Sequence, residues 1–230
     1  MPEPARGGMQ RIPRPTGWLP GIEAPWLRAG VEPSWPLAAV RRRLAGLPPP
    51  RRVSESPIDF PIRRRASAVL VALFESAGET RVILTKRPET MPSHQGEIAF
   101  PGGKLEEGVD VDLRATARRE TREEIGLEPA AIEIVAELDG LGTVGSRFII
   151  TPFVGMIAGV PELHPDPHEV VRVFDVALVE LLAAGVHHAE RWKTPMIDHE
   201  VHFFELPGET VWGATARILF GFLAFLTADG

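Results

Sequence analysis

Residues 119–126 read Arg119-Glu120-Thr121-Arg122-Glu123-Glu124-Ile125-Gly126 (RETREEIG), and the reading of the rest of the chain turns on this stretch. The three glutamates stand at i, i+3 and i+4, so on a helix they crowd one side. Asp112 suits the N-cap, LRATARRETREEI the helix itself, and Gly126 the position just past its end. With Leu113 at zero and about 100° per residue, Leu113, Ala117, Thr121 and Ile125 form a stripe that can face a core. Glu120, Glu123 and Glu124 then share an adjacent arc about 100° wide. Arg114, Arg118 and Arg122 project elsewhere, whereas an exposed helix interleaves its charges for i,i+4 support. Like-charge repulsion at this spacing costs only about 0.2–0.5 kcal/mol, so the triplet alone is compatible with a solvated face. The neighbourhood changes that. Upstream stands FPGGKLEEG, where a strand ends in Gly102-Gly103, whose missing side chains permit close backbone approach. A glycine turn beside three hard oxygen donors makes a sensible Mg²⁺ or Mn²⁺ site.

Outward from this centre, the texture is that of a mixed fold. SAVLVALFE (67–75) and TRVILTKR (80–87) read as strands joined by a turn near Gly78, a hairpin-like pair. EIAFP (97–101) is a short strand running into the glycines. IEIVAELDGL (132–141) and SRFIITPFVGMIAG (146–159) are rich in β-branched and apolar residues. VFDVALVELLAAG (173–185) reads as a strand turning into a short helix, HEVHFFEL (199–206) as another strand, and TARILFGFLAFL (215–226) as a final apolar helix that Trp212 and Gly213 help to pack. Strands and helices without a regular βαβ rhythm predict an α+β fold with a mixed sheet.

Residues 1–65 differ: they hold 12 of the arginines, only 5 acidic residues and 13 of the 23 prolines. Proline fixes φ and removes a donor, so an extended, partly irregular extension is predicted over 1–65 and the main domain over 66–230. Within the extension, PLAAVRRRLAGL (36–47) reads as a short helix with a solvated arginine face, stopped by Pro48-Pro49-Pro50.

Composition removes several classes of function. The chain has 230 residues, net charge −6 and no cysteine. Bulk electrostatic binding of nucleic acid is disfavoured. Disulfides, thiolate metal sites and a cysteine nucleophile are excluded, which fits a reducing cytoplasm. The N-terminal stretch lacks an apolar core of signal-peptide length and ILFGFLAFL is too short to cross a bilayer, so a soluble, cytoplasmic protein without membrane association is expected. There is no G-x-S-x-G elbow and no P-loop or dinucleotide loop. His187-His188, His199 and His202 do not make a zinc set: His199 and His202 fall on opposite faces of a strand.

Gly102-Gly103 followed by Arg119-Glu120-x-x-Glu123-Glu124-x-Gly126-Leu127 resembles the signature of the Nudix hydrolases, which cut diphosphate bonds linked to a nucleoside. Val109 stands where that signature has a glutamate, and the glycine-to-arginine interval is two residues longer than usual; Asp110 or Asp112 is placed to substitute. Thr121 stands where an aliphatic residue is usual. LTKRPETMPSHQGEIAFPGGK is similar to the extended motif of the coenzyme A pyrophosphatase branch, through Leu84-Thr85-x-Arg87, His94-x-Gly96 and Phe100-Pro101-Gly102-Gly103, with Pro88 and Pro92 as departures. The likeness runs over about residues 66–226.

The resemblance implies a mixed-sheet α/β/α sandwich and Mg²⁺- or Mn²⁺-dependent hydrolysis of coenzyme A to 3′,5′-ADP and 4′-phosphopantetheine. It implies Glu120, Glu123, Glu124 and the Gly103 carbonyl as metal ligands, Arg119 as the residue that orients the glutamates, and Glu169 as a candidate proton acceptor. Arg87 and His94 are candidates for substrate contact, and Arg63, Arg64 and Arg65 for the 3′-phosphate or for keeping an edge soluble. ADP-ribose, a dinucleoside polyphosphate or another nucleoside diphosphate compound is the alternative substrate, a non-catalytic nucleotide sensor the alternative class, and a homodimer a further expectation.

Overall fold

The computed structural model describes residues 6–29, 34–51, 65–90, 94–142, 148–194 and 197–228. At its centre is the hairpin read from the sequence: Arg65–Ser76 and Glu79–Lys86 pair antiparallel, with Ser76 opposite Glu79. The two connecting residues, Ala77 and Gly78, have φ 53° and 80°, the positive pair that matches the twist of a two-residue hairpin.

In chain order the strands are β1 (Leu19–Pro20), β2 (Arg65–Ser76), β3 (Glu79–Lys86), β4 (Ile98–Ala99), β5 (Gly102–Lys104), β6 (Ile132–Glu137), β7 (Leu141–Gly142), β8 (Phe148–Ile157), β9 (Arg172–Ala177), β10 (His187–Thr194), β11 (Ile197–Leu206) and β12 (Glu209–Trp212). The helices are α1 (Trp26–Ala29), α2 (Leu37–Leu44), α3 (Leu113–Ile125), α4 (Leu178–Leu181) and α5 (Gly213–Thr227). The large sheet runs β4-β3-β2-β8-β6, with β5 on β2, β7 on β8 and β9 on β3; β2 and β8 are parallel and the other pairs antiparallel.

Alternation along β2 sorts its two faces. Ala68, Leu70, Ala72 and Phe74 pack with Ala117 and Ile125 of α3, while Val71 and Leu73 join a core shared with α2, α4 and α5. Ala117, Thr121 and Ile125 of the predicted stripe are buried, and Leu113 packs partly against the same cluster. The result is an α+β sandwich with a mixed sheet. Among the described residues no helix is long and apolar enough to cross a membrane.

In a second sheet, β1-β10-β11-β12, β11 contains the strand read over 199–206, and the other three strands lie outside the sequence expectation. Part of it comes from the proline-rich extension, which is less irregular than its composition predicts. β1 pairs with β10, Gly7 N donates to Leu206 O at 2.8 Å, and Gly21 N donates to Ala189 O at 2.7 Å. Trp26 is fully buried, between His187, Phe204 and Phe220. The helix read over 36–47 forms as α2; its arginines are exposed, and Arg41 pairs with Glu133 on β6 at 2.6 Å.

Candidate active site at the C-terminal half of α3

Asp112 caps α3, its Oδ1 accepting from Ala115 N at 2.7 Å, and Gly126 ends it at φ 72°. A Cβ at Gly126 would come within 2.9 Å of His164 Cβ. That proximity has a purpose. His164 N donates to Ile125 O at 2.8 Å and Asp166 N to Glu124 O at 3.0 Å, so the orphan carbonyls of the last turn hold the loop that carries Glu169.

The paired glycines meet α3 from the other side. Gly102 N donates to Glu124 Oε2 at 3.1 Å. A Cβ on Gly102 would collide with Ala68 O at 2.3 Å, and one on Gly103 with the Glu120 carboxylate at 2.4 Å. Position 102 therefore demands glycine, because β5 runs too close to the β2 backbone for a side chain, whereas a Cβ at Gly103 would push the end of the Glu120 side chain aside.

The three glutamates occupy different environments. Glu124 is 3% exposed. Burial pushes its carboxyl up to about 8, against the opposing pull of the Gly102 hydrogen bond and Arg87, with Glu120 and Glu169 adding to the rise. Glu120, half-buried, is also raised, first by burial and then by the charges of Glu123 and Glu169, with Arg119 opposing. Glu123 is the exposed member, and Arg119 Nη1 donates to its Oε2 at 2.7 Å. Glu169 is exposed on its loop, near enough for its charge to act on both Glu120 and Glu124.

Arg119 is the hub. It donates to Asp110 Oδ1 and Oδ2 at 2.9 Å each, to Lys104 O at 3.1 Å and to Glu120 Oε1 at 3.0 Å. The arginine holds the Asp110 carboxyl down at about 2, helped by hydrogen bonds from Glu106 N and Thr116 Oγ1. The sequence left Asp110 and Asp112 as equal substitutes beside Val109; the fold gives them separate tasks, a clamp on Arg119 and a helix cap.

Arg87 follows β3, and its Nη1 stands 3.8 Å from Glu124 Oε1, while its buried Nε has no partner among the described residues. His94, at φ 58°, is exposed and its Nδ1 lies 2.8 Å from Glu97 Oε2, a hydrogen bond that raises its pKa. Arg65 is exposed at the start of β2 and makes none of the contacts of the carboxylate cluster; Arg63 and Arg64 lie outside the described residues.

Among the described residues no three acidic or imidazole groups converge into a ready-made metal cluster. Arg119 donates to Glu120 and Glu123, and Gly102 N donates to Glu124. The residues nevertheless fit a divalent cation. Two carboxylates raised by burial and by neighbouring carboxylates are short of positive charge, and all the donors present are hard oxygens. The acidic spacing and the glycines were legible in sequence; the backbone docking of His164 and Asp166 was not, since it uses no side chain.

The NUDIX domain family model matches residues 64–199. Uncharacterized Nudix hydrolase NudL of Photorhabdus laumondii is 33% identical over 172 residues, covering 75% of this chain and 87% of its own. Nudix hydrolase 22, chloroplastic, of Arabidopsis thaliana is 39% identical over 173 residues, 72% of this chain but 56% of its own length. Among solved structures, a MutT/nudix family protein from Enterococcus faecalis aligns with a TM-score of 0.47 at 18% identity, over 87% of this chain and 73% of that one.

Proposed function

Because the chain belongs to the Nudix family, we propose that it is a metal-dependent diphosphohydrolase acting on coenzyme A or a derivative, yielding 3′,5′-ADP and 4′-phosphopantetheine. In this reading residues 66–230 form the hydrolase domain and residues 1–65 an extension, of which residues 6–29 and 34–51 pack on it. The observation that carries the chemistry is Glu124, a buried carboxylate raised to about 8 beside Glu120 and a two-glycine bend. Such a site is unsuited to hold a diphosphate by itself, since like charges would meet in a poorly solvated place.

Glu120, Glu123, Glu124 and the carbonyl of Gly103 would hold Mg²⁺ or Mn²⁺. When bound, the cation supplies charge neutralisation for the diphosphate and lowers the pKa of a bound water. Arg119, itself fixed by Asp110, orients Glu120 and Glu123 through its planar fork. Arg87, beside Glu124, is placed to meet a phosphate oxygen. Glu169 is the candidate proton acceptor: it is exposed, its loop is anchored to the end of α3, and its charge reaches both buried glutamates.

What supports coenzyme A over other nucleoside diphosphate compounds is the run Leu84-Thr85-x-Arg87, His94-x-Gly96 and Phe100-Pro101-Gly102-Gly103, which leads directly into the site. A panel of coenzyme A, dephospho-coenzyme A, ADP-ribose and diadenosine polyphosphates, assayed with Mg²⁺ and with Mn²⁺, tests it. Coenzyme A should give the highest kcat/KM; preference for another member refutes the substrate, and no turnover on any member refutes the enzyme reading.

A further inference from the structure

In the antiparallel pairing of β3 with β9, Lys86 stands opposite Arg172, so the two side chains leave the sheet on one face. Both reach Glu209 at the start of β12, which is 5% exposed. Lys86 Nζ donates to its two oxygens at 2.9 and 3.0 Å, Gln10 Nε2 to Oε2 at 3.0 Å, and Arg172 Nη1 to Oε1 at 3.5 Å. A carboxylate offers roughly four acceptor sites, and these contacts use them. Two cations thus share one anion. Arg172 has the longest bond and is the more exposed cation, its side chain 54% accessible against 27% for Lys86. Its guanidinium carbon sits 5.0 Å from the centroid of the Phe174 ring, and its other N–H groups have no partner among the described residues.

The place matters as much as the charge. Val171 N donates to Lys86 O at 2.9 Å, and Arg87, next after Lys86, turns toward Glu124. Glu169 lies three residues before Arg172. Arg172 therefore stands at the same end of the sheet as Arg87, on the face turned away from α3, with Glu209 and Phe174 beside it and donors to spare.

We propose that Arg172 is a specificity-determining residue that binds an anionic group, a phosphate monoester, carried by the substrate outside the scissile diphosphate. Its planar fork matches a phosphate, and its N–H groups left over from Glu209 are free to donate to one. The inference rests on reading the chain as a hydrolase of a nucleoside diphosphate compound.

The test compares the full-length protein and Arg172→Gln on coenzyme A and dephospho-coenzyme A, which differ by the 3′-phosphate alone. Arg172→Gln should lower kcat/KM for coenzyme A on the order of 10- to 100-fold, chiefly through KM, and leave dephospho-coenzyme A within about twofold. Arg172→Lys should restore part of the preference, and the melting temperatures should agree, since Lys86 and Gln10 still satisfy Glu209. Equal loss on both substrates, or on neither, overturns the proposal. If the native protein hydrolyses neither compound, the functional reading fails separately, and calorimetric binding of 3′,5′-ADP against 5′-AMP decides the role of Arg172. Tighter binding of 3′,5′-ADP, abolished by Arg172→Gln, supports it; equal affinities overturn it.

Discussion

Arg119 and Asp110 face each other through two parallel hydrogen bonds of 2.9 Å, with the Asp110 side chain 2% exposed. The same arginine reaches Glu120 and Glu123, so an aspartate in the loop before α3 fixes the geometry of the acidic face. Asp110→Ala removes the principal partner of Arg119 but leaves it Glu120, Glu123 and Lys104 O, and should destabilise the fold by about 1–3 kcal/mol. Urea titration of the variant measures it, and a midpoint equal to the native one would show that the clamp is dispensable.

Glu124→Gln should cost little stability without metal. With its pKa near 8, Glu124 is largely protonated at neutral pH, and glutamine is close to that form in shape and charge. Turnover should nevertheless fall at least 100-fold. Mn²⁺ at 100 times its dissociation constant should stabilise the native protein by about 2.7 kcal/mol, raising its melting temperature, and chelation should reverse the gain. The variant should lose most of this response; an undiminished response would remove Glu124 from the metal site.

Gly103→Ala places a methyl group 2.4 Å from the Glu120 carboxyl carbon and should displace that carboxylate and impair activity with little loss of stability. Gly126→Ala acts differently: φ of 72° and the 2.9 Å approach to His164 strain the junction that carries the Glu169 loop. Limited proteolysis between residues 158 and 170 should accelerate in Gly126→Ala and not in Gly103→Ala.

His187 Nε2 lies 3.2 Å from His202 Nδ1, with both rings buried and His202 stacked on Phe220 at 3.9 Å. Burial lowers His187 to about 3, assisted by His202 and His188; burial lowers His202 to about 4, with Arg217 assisting and Glu200 opposing. Folded pKa values below the unfolded 6.5 mean that the unfolded chain binds protons first. Stability is therefore full above about pH 6.5 and declines as pH falls toward 4, by on the order of 2–3 kcal/mol for one such group. His202→Leu should flatten the dependence of unfolding free energy on pH in that window; an unchanged slope would assign it to other groups.

Trp26→Ala should cost about 3–5 kcal/mol, because the residue is fully buried against the second sheet and α5. Its Nε1 has no hydrogen-bond partner among the described residues, so Trp26→Phe sacrifices packing and no bond, and should cost less than half as much. Thermal melts of the two variants settle whether residues 6–29 belong to the cooperative fold.

Much of the architecture was legible because its causes are short-range. The apolar spacing of Ala117, Thr121 and Ile125, the cap at Asp112 and the stop at Gly126 define α3 within fifteen residues, and Gly78 marks the hairpin between two apolar runs. Of the second sheet, β11 was read as a strand, but β10 and β1 escaped notice because HHAERWKT (187–194) carries a weak alternation and its edge partner, Leu19–Pro20, lies in a segment dominated by proline.

The sequence by itself determined the chemistry available: hard oxygen donors, no thiol, an arginine within the acidic run and glycines where backbone must come close. Only the tertiary structure decided how those groups differ. Gly102 and Glu124 are 22 positions apart and Gln10 and Glu209 are 199 apart, yet each pair shares a hydrogen bond. Burial and field at a carboxylate are sums over neighbours brought together from the whole chain, so they exist only once the chain has folded, and they are what separates Glu124, Glu120 and Glu123.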